Sequence, residues 1–259
     1  MRILVTFAVD AEFAPWRKRH PFVAFPIDLA HRYFKESYFK ARVGPSDVTV
    51  YLTGIGWTLP EYGLKKLFED KPDACVSSGL AGGLKRSLKK GDVVAARFVS
   101  SLDGEGSIGA NTRLLEIARE CGAKVMEKCI TSRQLLGQAQ FKQAMGEFAD
   151  IVDMESSKIM SIATGPQIPA VTIRAISDTV DEDLPLDFSR ILDQSGRILK
   201  RQLALQLARY PNQIPALIRF GKESQKAAER LADFLDCYVE AIAASGAGIP
   251  DRREQVVAR

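Results

Sequence analysis

Histidine is scarce in this 259-residue chain: only His20 and His31 occur, both in a stretch crowded with Phe, Tyr, Arg and Lys. That scarcity argues against a histidine-based zinc site and against a Ser–His–Asp triad. Cysteine is sparse too. Cys75, Cys121, Cys129 and Cys237 stand far apart with no C-x-x-C pair, so reduced thiols in a cytoplasmic protein are expected rather than a disulfide framework. No residue pattern asks for a metal or a cofactor. The run Ile3–Val9 is followed at once by Asp10 and Glu12, too early for a signal peptide, and nothing approaches the ~20 apolar residues of a membrane span. Neither sign of charge dominates: Lys+Arg 36 against Asp+Glu 32 gives a formal +4. Taken whole, that balance speaks against nucleic acid as a partner.

An apolar fraction of 46% is enough for a sizeable core. Short β-branched runs alternate with longer helix-like stretches, the pattern of a mainly parallel or mixed sheet with helices on its faces. Strands are predicted at 2–9, 47–53, 73–78, 92–99, 124–130, 150–153 and 169–176, and helices at 111–121 and 155–163. Thr58-Leu59-Pro60-Glu61 reads as a helix start, with a capping Thr, Pro in the first turn and Glu three residues on. From about 187 the strands stop, and 187–243 reads as two or three helices broken by Pro211, Pro215 and Gly221. The expected organisation is one domain over 1–186, a helical extension over 187–244 packed on it, and a disordered tail over 245–259.

Three segments are too polar for their places. They are Val9-Asp10-Ala11-Glu12-Phe13 at the exit of the first strand, Ser77 to Leu84 after an apolar strand, and a pair of strand ends. The pair is Asp153-Met154-Glu155-Ser156 and Arg174-Ala175-Ile176-Ser177-Asp178. Ligands of open α/β sheets bind outside the carboxyl ends of strands, where all three map. Gly79-Leu80-Ala81-Gly82-Gly83 is not G-x-G-x-x-G, Gly54-Ile55-Gly56 lacks a third glycine, and no Walker lysine follows either. The carboxylates carry more weight. Glu12, Glu155 and Asp178 each follow an apolar strand, where a charge is costly without a partner or a task, and three on one rim suggest a site. Arg174 lies close to Asp178 in sequence, so an ion pair between them competes with that reading.

These residues, in this order and with Gly91-Asp92-Val93-Val94 between them, resemble the nucleoside phosphorylase/nucleosidase superfamily. Within it they are similar to the methylthioadenosine/S-adenosylhomocysteine nucleosidase branch. The resemblance covers about residues 1–180 and rests chiefly on Asp153-Met154-Glu155-Ser156 and Arg174 to Asp178. It implies a mixed central β-sheet flanked by helices, to which the helical C-terminal extension is added. It also implies cleavage of the N-glycosidic bond of an adenosine-type purine nucleoside, and a homodimer. By similarity, Asp178 is the general acid at N7 of the base, and Glu12 activates the attacking water. Glu155 holds the ribose hydroxyls with Met154 against the sugar, and Ser78, Gly79, Leu80, Ala81 and Gly82 line the substrate. Ser177 and Arg174 orient or polarise Asp178. An oxocarbenium-like sugar does need an acid on one side and a base or anion on the other.

The phosphorylases of the superfamily clamp phosphate with arginines near the end of the first strand and before the glycine loop. Here those places hold Glu12 and Ser77 or Ser78, so hydrolysis is favoured over the alternative, phosphorolysis. Arg17 is placed on the following helix. Leu80 departs from the small or hydroxylated residue usual in the nucleosidases, which leaves a catalytically inactive nucleoside-binding protein as the rival class. Phe141 and Phe148 are the aromatics available to a base in 131–149. In the extension, Leu199, Leu203, Leu207, Tyr210 and Ile214 recur at helical spacing among Arg197, Lys200, Arg201 and Arg209. Between 190 and 230 nine basic residues face three acidic ones, a net +6 that leaves the rest of the chain at −2. The excess positive charge therefore sits away from the carboxylates. It suits peripheral membrane contact, and with it a lipid-linked nucleoside such as adenosylhopane, the substrate of a hopanoid-associated branch.

Overall fold

The most apolar runs of the sequence lie side by side in the centre of one mixed sheet. The computed structural model describes residues 1–25, 38–56, 61–104, 106–186 and 199–246. Strands β1 (Arg2–Phe7), β4 (Ser46–Leu52), β5 (Ala74–Ser77) and β11 (Ala170–Asp178) run parallel in the order β4-β1-β5-β11. All nine residues of β11 and five of six in β1 are buried. Such continuous apolar strands are what a sheet covered on both faces requires.

Beyond β11 the sheet curls on itself. β6 (Leu80–Gly83) pairs parallel with β11 and antiparallel with β10 (Ile151–Asp153), which pairs parallel with β9 (Lys124–Thr131). β9 pairs with β7 (Val93–Ser101), and β7 returns to pair antiparallel with β11. Five strands thus close a ring, with β8 (Ile108–Gly109) paired to β7. On the far side, β3 (Tyr38–Val43) pairs antiparallel with β4, and β2 (Val23–Ala24) pairs antiparallel with β3. The expectation of a mixed sheet flanked by helices holds.

The sequence reading missed β2, β3, β6 and β8. β3 joins β4 through a hairpin in which Val43 pairs with Ser46, and the two-residue turn begins at Gly44, φ +54°. The glycine segment read as a loop is β6, a strand of low β propensity. Cβ atoms there would crowd its neighbours: at Gly82 one would lie 3.2 Å from Val152 Cγ1 and 3.3 Å from Asp178 Oδ2.

Helices α1 (Asp10–Arg17), α2 (Glu61–Glu69), α3 (Thr112–Glu120), α4 (Ala139–Met145) and α5 (Ser156–Thr164) flank the sheet. The predicted capping residues of α2 fall in 57–60, outside the described residues, as does His31. α6 (Lys200–Arg209), a 3-10 turn (Pro211–Gln213) and α7 (Ile214–Ala244) follow. Helix breaks at Pro215 and Gly221 do not occur. Pro215 lies in the first turn of α7, where its missing N–H costs nothing, and a lone glycine weakens a helix by about 1 kcal/mol without ending it. The predicted start of the extension and most of the tail, 187–198 and 247–259, lie outside the described residues.

The C-terminal half of α7 is part of the core: Leu231, Leu235, Tyr238, Val239 and Ile242 are buried, and the Tyr238 hydroxyl donates to Leu114 O at 2.8 Å. Asp236 pins α7 to the end of α1. It accepts from Trp16 Nε1 at 2.6 Å and Arg19 Nη1 at 3.1 Å, and meets His20 Nε2 at 2.7 Å. His20 is thereby a structural partner.

Candidate active site

Glu12 sits in the first turn of α1, directly after β1. Its Oε2 accepts from Ala8 N at 2.9 Å and its Oε1 from Leu80 N at 3.0 Å. The Leu80 contribution is thus its backbone amide, whatever its side chain. Gly79 has φ +144°, and a Cβ there would lie 2.9 Å from Arg174 Nη1 and 3.0 Å from Glu12 Oε2, so glycine lets β6 start against both charges. Burial raises the Glu12 pKa above the ordinary carboxylate value, against the lowering effect of the Leu80 amide and Arg174.

Glu155 follows β10 at the start of α5, buried, with Oε1 accepting from Gly56 N at 2.9 Å. Burial, then the nearby Asp153, pushes it up to about 8, with Arg174 acting the other way. Met154 is partly buried, and its Cε lies 3.4 Å from where a Cβ of Gly56 would stand. Ser78 is buried, and its Oγ has no hydrogen-bond partner among the described residues.

The expected pairing of Arg174 with Asp178 does not form. Arg174 donates from Nε and Nη2 to Asp153 Oδ2 at 2.9 and 2.7 Å, and from Nη2 to Ser156 Oγ at 2.8 Å and Ser77 Oγ at 3.3 Å. Burial acts to lower the Arg174 pKa, but Asp153, Glu155 and Glu12 outweigh it and hold the guanidinium above its ordinary value. Asp153 also accepts from Thr131 Oγ1 at 2.7 Å. This arginine is a buried counter-ion of Asp153, and it does not reach Asp178.

A β-bulge explains the separation. Ala81 pairs with Ile176 but Gly82 with Asp178, so Ser177 is the extra residue. Such an insertion re-aims the side chains after it. Ser177 Oγ lies 3.2 Å from Ala81 O and donates to Asp178 Oδ1 at 2.7 Å. Ser177 therefore reaches Asp178. The other Asp178 oxygen, Oδ2, accepts from Lys142 Nζ at 2.7 Å. Lys142 and Asp153 were both overlooked in the sequence. Lys142 carries no periodic signal in its polar helix, whereas Asp153 lay inside a motif whose glutamate drew the attention.

The strand-end carboxylates do share a region, for a different reason from the one expected. β10 runs antiparallel to β6, so its C-terminal end arrives at the start of β6, beside the ends of β1 and β5. Glu12 and Arg174 lie at Gly79–Leu80, where β6 begins, and Asp178 lies at Gly82 further along it. Phe141 and Phe148 are exposed, 52% and 67%. Arg17 pairs with Asp10 at 3.0 Å on the surface. A separate cavity of about 470 Å³ at the N-terminal ends of β1 and β4, between Arg2, Lys40, Asp47 and Asp70, holds none of these groups. Among the described residues, no cluster of His, Cys, Asp or Glu is arranged to hold a metal.

The sequence is 26% identical over 178 residues to the 5'-methylthioadenosine/S-adenosylhomocysteine nucleosidase of Glaesserella parasuis, spanning 60% of this chain and 77% of that protein. The fold matches the nucleosidase of that name from Campylobacter jejuni, with a TM-score of 0.68 and 17% identity over 93% of this chain and 99% of the other. The chain is thus similar in sequence to one nucleosidase and shares the fold of another. The futalosine hydrolase of Helicobacter pylori shares this fold equally, with a TM-score of 0.68 and 18% identity over 93% of this chain and 97% of that one. No family model matches the chain.

Proposed function

We propose that this chain hydrolyses the N-glycosidic bond of an adenosine-type purine nucleoside, releasing the free base and a ribosyl product. The observation that carries the reading is the placing of Glu12 and Asp178 at the two ends of β6, with Glu155 between β4 and β10. Asp178 protonates N7 of the leaving base, and Glu12 takes the proton of the attacking water. Glu155 accepts from the ribose hydroxyls with Met154 against the sugar, while Ser78, Gly79, Leu80, Ala81 and Gly82 line the cleft. A buried carboxylate whose pKa is raised suits proton uptake from water. Hydrolysis is preferred to phosphorolysis because Glu12 and Ser77 or Ser78 stand where a phosphate clamp would need arginines, and the buried Arg174 is engaged by Asp153. The test is base release from a panel of purine nucleosides with and without phosphate. Residues 1–186 and the helices over 187–244 act in this reading as one packed unit.

Two surfaces fit partners. Leu135, Phe141 and Phe148, on and around α4, are exposed and suit a second copy of this chain, checked by sedimentation at micromolar concentration. A monomer under those conditions argues against it. Over 199–222 five basic residues and no acidic one accompany the exposed Leu199, Leu205, Tyr210, Ile214 and Ile218. A cationic amphipathic surface of that kind suits an anionic bilayer. Failure to sediment with anionic vesicles at low salt removes that assignment. No described helix is long and apolar enough to cross a membrane.

A further inference from the structure

Hydrolysis asks Asp178 for a proton, and the structure gives that carboxylate a partner which the reading above leaves unused. Lys142 is buried, 0% exposed, the one such residue in α4. Its ammonium donates to Asp178 Oδ2 and to Thr179 O, each at 2.7 Å. The Ser177 hydroxyl serves Oδ1. Held this way, the carboxylate is an acceptor on both sides, while a purine leaves poorly without a proton.

Docking of α4 does not demand the ammonium. Ala139 N donates to Asp183 Oδ1 at 2.7 Å, Gln143 Nε2 to Asp181 Oδ1 at 3.0 Å, and Leu184 N to Gly137 O at 2.7 Å. An apolar side chain of the same length would fill the space without the several kcal/mol that desolvating an ammonium costs. The other charges near the pair are engaged elsewhere. Asp181 and Asp183 hold α4, Glu182 is taken by Lys90 and Thr179, and Lys85 donates to Gly146 O. On β6 the uncharged Gly82 lies against Asp178, with Val152 of β10 beside it.

We propose that Lys142 is a positioning residue that stores the proton Asp178 delivers; this rests on the hydrolytic reading. As the C1′–N9 bond breaks, its electron pair goes to the base. The Asp178 carboxylate takes a proton from Nζ and passes it to N7, so Asp178 ends as it began and Lys142 ends neutral. Water bonds to C1′ and its proton passes to Glu12. Release of that proton to solvent and uptake of one by Lys142 restore the site, with nucleoside and water converted to base and ribosyl product.

The experiment compares the parent protein with K142M, K142Q and K142R on a purine nucleoside the parent cleaves. K142M and K142Q are expected to lose about 100-fold or more in kcat, with KM changed by less than about threefold. Their deficit shrinks at least about tenfold from pH 8 to pH 5, because solvent protons then substitute for the one that Nζ supplies. K142R keeps the charge but does not surrender a proton, so it fails to rescue. A kcat within about threefold of the parent in K142M, a deficit constant with pH, or rescue by K142R overturns the proposal while hydrolysis stands. Failure of all three variants to fold, read by circular dichroism, also overturns it, since the lysine is then a requirement of the fold. A parent that releases no base removes the hydrolytic reading, and the proposal with it.

Discussion

Replacing Glu155 by Gln should make the protein more stable and less active at once. In the folded chain Glu155 titrates at about 8 against an ordinary 4.5, because burial and Asp153 disfavour its charge. Between those values the unfolded chain gives up the proton and the folded chain retains it, so Glu155 lowers stability progressively as pH rises from about 4.5 to about 8. Each unit is worth about 1.4 kcal/mol, which amounts to about 3 kcal/mol at pH 7. The Gln variant keeps an oxygen for the Gly56 amide and has no such slope. Thermal unfolding at pH 5, 6, 7 and 8 should show a Tm gain that is small at pH 5 and on the order of 5–10 °C at pH 7. Base release should fall with it, because an amide replaces the carboxyl group that meets the ribose hydroxyls. A Tm difference that does not change with pH, or a variant less stable than the parent at pH 7–8, would refute the account of this carboxylate.

Other outcomes follow from the same contacts. D178N should lose about 100- to 10,000-fold in base release while adenine binding, read by calorimetry, survives; an active D178N would leave the acid unassigned. R174M strands Asp153 without its counter-ion and should cost about 3–5 kcal/mol in urea unfolding, so a loss below about 1 kcal/mol contradicts the buried pair. Cys121 and Cys237 place their sulfurs 2.9 Å apart, joining the end of α3 to α7. Diamide should link them and raise Tm, since closing a loop of that order is worth up to about 4.7 kcal/mol. An unchanged thiol count after treatment would contradict this.

Much of the fold was legible because its central strands are unbroken β-branched runs. β1, β4, β5, β7, β9, β10 and β11 all fall where those runs fall. β6 was not, because Gly79, Gly82 and Gly83 are chosen for what presses on them and not for strand propensity. The three site carboxylates could be read as charges following apolar strands. Their partners could not. Strand alternation puts Arg174 and Asp178 on one face, and only the bulge at Ser177 turns Asp178 toward Lys142. The lysine itself sits in Ala139–Met145, a short polar helix whose pattern gives no sign that its fourth residue is buried.

The central claim is that water, and not phosphate, attacks a purine nucleoside at this site. It is tested most directly by following free base from such a nucleoside in phosphate-free buffer, then adding phosphate. The account predicts release without phosphate and a free ribosyl product, at a rate that added phosphate does not raise. Release only when phosphate is present, with a ribose 1-phosphate as product, would contradict it.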